Sequence, residues 1–403
     1  MASRLEKSTV TAKKIGIGCG VLILIILLYN IGASIFRKEP DPYDPYPQYA
    51  EKKYNDIQKL EFESLQLADE SEPNFKIETT DGSLPKIRSI MNVYKTKTPR
   101  QSLTAQDDAV DIAKSLGFNE TPLNITETEL KWTKEAKTLI IDKLYGDVSL
   151  TTDYTKDPDA KNDREILPDS EPYVQTAKNF LKKAHIFPSN YQDSDKNTVT
   201  YLKLNSNNVF EKAKSAQDAN FVRVDFFQSV ESVGVTIPEG ISEEQQATID
   251  DYRLFADVIT DNPYEGLIYI ILANESGVDN IYELKYVDWE LESKSTYDLI
   301  GISNAWEEVK KENGYLKSLF EMNTNPFQEY TPLDIKSFLL TNVEISYYSS
   351  REYLKYIQPM YKFTGIAKLE DDNGNDIDYD FTYYYPAIEL EKSIETEENV
   401  TNE

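Results

Sequence analysis

The chain has 403 residues, with 43 Lys and Arg against 70 Asp and Glu, a net charge of −27, one histidine and one cysteine. A surface this acidic repels nucleic-acid phosphate and anionic headgroups and suits cations or basic partners, although charge this spread out is usually a solvated surface and no more. A single His and a single Cys also exclude zinc sites built from imidazoles and thiolates within one chain.

Residues 15–36 are 22 positions without a charge, centred on Val21-Leu22-Ile23-Leu24-Ile25-Ile26-Leu27-Leu28. At about 1.5 Å of rise per residue they cover the ~30 Å hydrocarbon layer, so a transmembrane helix is expected there. Arg4, Lys7, Lys13 and Lys14 precede the run, and Arg37 and Lys38 follow it. That bias predicts a cytoplasmic tail over 1–14 and an extracytoplasmic bulk, the topology of a single-pass cell-membrane protein. The run is longer than the ~7–15-residue core of a secretory signal, which favours a retained anchor over cleavage near Ala33. Cys19 has most of the apolar run after it, whereas a lipoprotein signal places that run before the cysteine.

Residues 40–403 hold 37 basic and 68 acidic side chains, a net of −31, and no cysteine. An outer part without disulfides points to a prokaryotic envelope. In that setting the N-x-Ser/Thr triplets at Asn119, Asn124, Asn274 and Asn399 are chance matches. The length predicts two or three domains.

Pro40, Pro42, Pro45 and Pro47 alternate with Tyr43, Tyr46 and Tyr49, which predicts an extended stalk over 37–72. A first module is expected over 73–165. It has strands at 75–80 and 87–94 around Asp81-Gly82, then a helix from Thr104 with Ala105, Ala109, Ile112, Ala113 and Leu116 on its apolar stripe and Gly117 at its end. Paired strands follow at 139–145 and 148–154. A second module, 166–300, opens with Ser170 and Pro172 and a helix carrying Tyr173, Ala177, Phe180, Leu181 and Ala184 on one face. Strands are expected at 199–204 and 221–227, a helix from the capping box at Ser242 to about Val258, and a hairpin from 267–273 and 281–291.

The third module, 301–389, has a short helix with Trp306 and Val309, and a second begun by Thr331-Pro332-Leu333-Asp334. Three strands then alternate: Val343, Ile345 and Tyr347; Tyr361, Phe363, Ala367 and Leu369; Ile377, Tyr379, Phe381, Tyr383 and Tyr385. Asp372-Asn373-Gly374-Asn375 supplies a turn, and 390–403 is expected to be disordered. Helices followed by strands give an α+β class: a single N-terminal transmembrane helix, then two or three extracytoplasmic modules of antiparallel sheet with helices packed on one face.

The chemistry-bearing residues are sparse. His185 falls where a helix ends, a favourable place for a cation near the last carbonyls. No G-x-S-x-G supplies a nucleophile elbow. Placing Gly374 at position six of a calcium loop puts Leu369 at position one, so that pattern fails, and the 153–163 loop lacks the glycine. Asp288 and Glu290 flank Trp289 on one strand face, the kind of carboxylate pair glycoside hydrolysis uses, but with 68 acids such a pair is expected by chance. No catalytic, cofactor-binding or metal residue is assigned, and the expectation is a protein that is not an enzyme.

Tyr347-Tyr348, then Tyr356-Ile357-Gln358-Pro359-Met360-Tyr361-Lys362-Phe363-Thr364-Gly365, then Tyr383-Tyr384-Tyr385-Pro386-Ala387 resemble, in that order, the YycH/YycI type of membrane-anchored regulators. The helix with Ala305-Trp306 is similar to the one that opens their PepSY-like modules. The resemblance covers 303–387. It implies non-catalytic regulation by contact with a sensor kinase or another envelope protein. The Pro/Tyr stalk and the strongly acidic outer part depart from that pattern. The expected function is thus a membrane-anchored binding and regulatory protein, with the membrane reached through 15–36 and no nucleic acid among its partners. The alternative is an envelope glycan-binding protein or a carboxylate-dependent hydrolase, which requires a cleft with convergent acids.

Overall fold

The computed structural model describes residues 46–390 apart from 70, 163, 189–190, 192–196, 235–252, 274–279 and 371–374. The chain divides into two units, Met1–Tyr46 and Pro47–Glu403. Apart from Tyr46, all of the described structure belongs to the second.

Eighteen strands are described. The first six are β1 (Asn74–Ile77), β2 (Ile90–Thr96), β3 (Leu123–Asn124), β4 (Glu129–Lys134), β5 (Lys137–Asp142) and β6 (Val148–Thr152). Next come β7 (Asn197–Leu204), β8 (Phe210–Lys212), β9 (Phe221–Phe226), β10 (Ser229–Val233), β11 (Leu254–Ile259) and β12 (Ile268–Leu272). The last are β13 (Ile281–Tyr286), β14 (Leu291–Asp298), β15 (Tyr315–Glu321), β16 (Ile335–Tyr348), β17 (Tyr356–Glu370) and β18 (Asp376–Pro386). Among the described residues the α-helices are α1 (Ala105–Ser115), α2 (Glu171–Lys183) and α3 (Ile302–Glu308).

One nine-stranded sheet has the order β3-β4-β5-β6-β13-β12-β9-β7-β8. Helices α1 and α2 cover one of its faces, where Ala109, Ala113, Tyr173, Ala177 and Leu181 meet Leu139, Val224 and Ile270. Each large apolar side chain buried there contributes about 1.5–3 kcal/mol. Helix α1 ends as a Schellman turn, with Phe118 N–H on Ala113 O at 2.9 Å and Gly117 N–H on Lys114 O at 3.0 Å. Helix α2 ends the same way, but here His185 takes the left-handed position, φ 59°, that glycine usually fills. Thr104 Oγ1 donates to the side chain of Asp108 at 2.8 Å.

The other nine-stranded sheet runs β10-β11-β16-β17-β18-β15, with β1, β2 and β14 attached beside that path. Here the expected alternation is in register. Val343 lies opposite Phe363, and Phe363 opposite Tyr383, so the three same-face sets form rows across β16, β17 and β18. Trp306 of α3 packs at a tilt on Phe363 with ring centroids 5.2 Å apart.

Several expectations are corrected. The α+β class gives way to a predominantly β molecule with two large sheets. The reason is length: the central strands pair over 14 and 15 residues, while the helices have 11, 13 and 7. The transmembrane expectation, with its cytoplasmic N-terminus and extracytoplasmic bulk, is not supported. No helix among the described residues is long and apolar enough to cross a membrane, and the run 15–36 itself lies outside those residues. The 242–258 helix falls mostly outside them too; its end, Leu254–Ile259, is strand β11, which pairs with β10 and β16. Residues 331–334 form no helix and lead directly into β16. The strands around Asp81-Gly82 do not pair with each other: β1 runs parallel to β16, and β2 pairs with β14 and β17. The calcium-like turn at 371–374 and the tail from 391 lie outside the described residues.

The sheets also cut across the boundaries expected near 165 and 300. The second sheet draws β1 and β2 from before the first boundary, β10, β11 and β14 from between the two, and β15 to β18 from after the second. The part of the stalk region from Pro47 onward lies along this sheet as an extended strap. Lys52 N–H meets Thr296 O at 3.0 Å, and Leu65 N–H meets Leu316 O at 2.8 Å.

Candidate functional site

Strand β9 reads Phe221-Val222-Arg223-Val224-Asp225-Phe226, and every residue in it is buried. Period-2 geometry sends Val222, Val224 and Phe226 into the helix-covered core and Phe221, Arg223 and Asp225 to the opposite face. Two charges two residues apart on one face must meet. Arg223 Nε and Nη2 donate to the Asp225 carboxylate at 2.7 and 2.8 Å. Arg223 Nη2 also lies 3.1 Å from Glu265 Oε2. Its guanidinium is sandwiched between the rings of Tyr269 and Phe327, 3.8 and 3.9 Å from their centroids.

Asp225 Oδ1 accepts a third hydrogen bond, from Gly266 N–H at 3.0 Å. Position 266 needs a glycine because a Cβ there would sit 2.4 Å from Phe226 O. Burial pushes the Asp225 carboxyl up, and Arg223 opposes that shift. From the loop after β16, Arg351 Nη2 reaches Glu265 and donates to Gly266 O at 3.1 Å. Its Nη1 is buried without a hydrogen-bond partner among the described residues.

Asp147 and Lys285 lie within electrostatic reach of Arg351. Burial pushes Asp147 up to about 7, against the pull of Lys285 and Arg351. Burial, helped by the charge of Glu290, pushes Asp288 up to about 6. Lys285 is pushed down by burial and then by Arg351. Oδ1 of both aspartates is buried without a partner among the described residues.

Arg351 and Glu265 open onto a cleft of about 850 Å³. One wall is the strap from Asp56 to Glu63; the other is formed by the 260–265 and 348–358 loops. Six acids and three bases line it, over an apolar floor in which Leu60 and Phe62 of the strap itself meet Leu354. Tyr348 OH donates to Asp261 Oδ2 at 2.9 Å, and Lys317 pairs with the same carboxylate at 2.9 Å. Asp56 pairs with Lys355 and accepts from Tyr356 OH, and the bond from Lys355 holds its carboxyl low.

No protein-family model matches this chain, and no curated protein matches it. Among solved structures it is similar to an uncharacterised protein from Eubacterium rectale, at 13% identity, with 75% of this chain and 85% of that one covered and a TM-score of 0.35. At that score the likeness carries no argument about fold or function.

The residues singled out from sequence are dispersed. His185 is exposed beyond α2, where its backbone, not its ring, ends the helix. Asp288 is largely enclosed, whereas Glu290 is exposed and pairs with Lys97 at 2.7 Å, so the two carboxylates do not face one space. Trp289 is buried and donates to Ser350 O at 2.7 Å, bracing the loop that carries Arg351. Among the 153–163 acids, Asp153 and Asp159 bond neighbours within the loop. No group of three metal-ligating side chains occurs among the described residues. The Arg223–Asp225–Glu265–Arg351 network was not anticipated. Its signal was present: opposite charges at period 2 inside an otherwise apolar strand.

Proposed function

We propose that this chain is a non-catalytic binding protein that regulates by contact with another protein, and that a basic segment of the partner docks in the acidic cleft. The observation that carries this is the excess of acids over bases around an apolar floor in a cleft about 850 Å³ in size. Field focusing in such a cleft raises the local concentration of cationic groups. The apolar floor supplies affinity that charge alone does not. The resemblance of 303–387 to the YycH/YycI type supports the regulatory part of the reading. The carboxyls raised by burial, Asp147, Asp225, Glu283, Asp288 and Asp380, are not among the residues lining this cleft. That favours binding over carboxylate-dependent hydrolysis.

A photo-crosslinking residue at Gln58, on the cleft wall, tests this in cells against the same residue at Glu127, in the exposed turn between β3 and β4 of the other sheet. The expected result is a protein captured from position 58 and not from 127. The yield falls when Glu61→Lys and Glu352→Lys are introduced, and when salt is raised past about 0.1 M, where the Debye length is ~10 Å. Equal capture from both positions, or indifference to the charge reversals, overturns the reading.

A further inference from the structure

Between residues 50 and 69 no helix or strand is assigned, yet the chain is held all along the second sheet. The mode of holding has two parts. Side chains of the sheet, and one from the loop before β16, grip strap carbonyls: Gln358 Nε2 donates to Gln58 O at 3.0 Å, Lys317 Nζ to Glu63 O at 2.8 Å, and Tyr330 OH to Gln66 O at 2.8 Å. Those contacts read backbone and not sequence. Apolar seats then read side chains. Phe62 stands edge-on to Tyr348 and Tyr315 with centroids 4.6 and 5.0 Å away. Leu60 is buried beside it, and Leu65 and Leu67 pack on the core of the sheet. Carbonyl contacts plus spaced apolar seats are how proteins recognise an extended peptide.

The strap also divides open space. The cleft of about 850 Å³ on one side and another of about 930 Å³ on the other are both bounded by Lys59 and Phe62. With the strap lifted, the two become one trough.

We infer that the surface under residues 58–67 is a docking trough for an extended polypeptide with large apolar side chains at the spacing of Leu60, Phe62, Leu65 and Leu67, filled in cis by the chain's own strap. This rests on the reading of the chain as a protein-contact module; it concerns the surface that the strap covers and not the acidic cleft beside it, three of whose six acids, Asp56, Glu61 and Glu63, belong to the strap itself. The cis occupant lowers the apparent affinity for any trans segment by the fraction of time the trough is open. A segment that binds must therefore wait for, or displace, the strap.

The test uses the full chain and a fluorescein-labelled synthetic peptide of residues 54–69 as probe. Leu60→Asp with Phe62→Asp loosens the strap and leaves the side chains beneath it, Tyr315, Tyr348 and Leu354, unchanged. Fluorescence anisotropy is expected to show the probe binding this variant at least ~10-fold more tightly than the wild type, as removal of a cis competitor requires. Hydrogen exchange on the wild type supplies a second arm that needs no variant. The amides of Leu65 and Ala68 are expected to exchange by local opening, faster than those at the centre of β16 and β17. Strap amides that exchange only with the whole sheet overturn the inference. So does a folded variant with a fast-exchanging strap that fails to bind the probe. Probe binding without any crosslinked partner from position 58 sinks the protein-contact reading and leaves the trough standing; the reverse result sinks the trough alone.

Discussion

Replacing Arg223 alone leaves the Asp225 carboxylate unpaired in a site with no exposure. Breaking one side of such a pair costs about 3–5 kcal/mol, whereas replacing both members with apolar residues of similar volume is close to neutral. Urea unfolding should therefore show Arg223→Met far less stable than Arg223→Met/Asp225→Leu; equal losses would contradict a pairing role. A second residue-scale effect concerns pH. Asp147 and Asp288 have folded values of about 7 and about 6, above the ordinary carboxyl value of 3.8. The folded chain then binds more protons than the unfolded one between about pH 4 and those values. Their ionisation subtracts stability as pH rises through that window, by at most ~1.4 kcal/mol per unit for each group. Asp147→Asn should flatten the slope of unfolding free energy between pH 4 and 7 and raise stability at pH 7; an unchanged slope counts against the burial. Little of this was legible in the sequence. Acids are too numerous to rank before the fold shows which are enclosed, and Glu265 and Arg351 join Arg223 only through tertiary contact.

At the scale of elements, alternation was the reliable signal and capping chemistry the weaker one. Five period-2 positions from Ile377 to Tyr385 gave β18, and the helical stripes gave α1 and α2. Leu254–Ile259 went the other way. Its residues suit either state, and pairing with β10 along most of its length and with β16 at its end decides between them. Thr331-Pro332 starts a turn as readily as a helix. One element-scale detail is testable directly. Gly365 faces an irregularity in β16 between Leu340 and Asn342, and a Cβ at 365 would lie 2.0 Å from Leu339 O. Gly365→Ala should therefore shift the backbone of the two longest strands and cost about 2 kcal/mol or more. A melting temperature equal to that of the wild type would show that the bulge adjusts freely.

At the scale of the whole molecule, local patterns predicted strands but not which would be neighbours. Residues 47–69 are bonded to partners some 240 to 300 positions away, as Tyr54 to Tyr297 and Gln58 to Gln358 show. Nothing in a window of the sequence carries that information, which is why consecutive modules were expected where two interlaced sheets occur. Long-range pairing of this kind makes folding slow and leaves fragments with open edges. Residues 301–390 expressed alone lack β1 and β11, which line β16, and β2, which meets the start of β17. That fragment should aggregate or melt without a cooperative transition by circular dichroism. A sharp transition would restore an independent C-terminal domain.

The strap has a mechanical consequence. Its anchorages stand in single file: Lys52 on Thr296, Tyr54 on Tyr297, Gln58 on Gln358, Leu65 on Leu316, Ala68 on Leu333. A pull on the chain ahead of Pro47 loads them one after another instead of sharing the force among them. Each that yields releases a few more residues, at about 3.4 Å apiece. Tension on the leading end thus uncovers the sheet progressively, at forces set by one anchorage at a time, while β16 and β17 stay paired along their whole length.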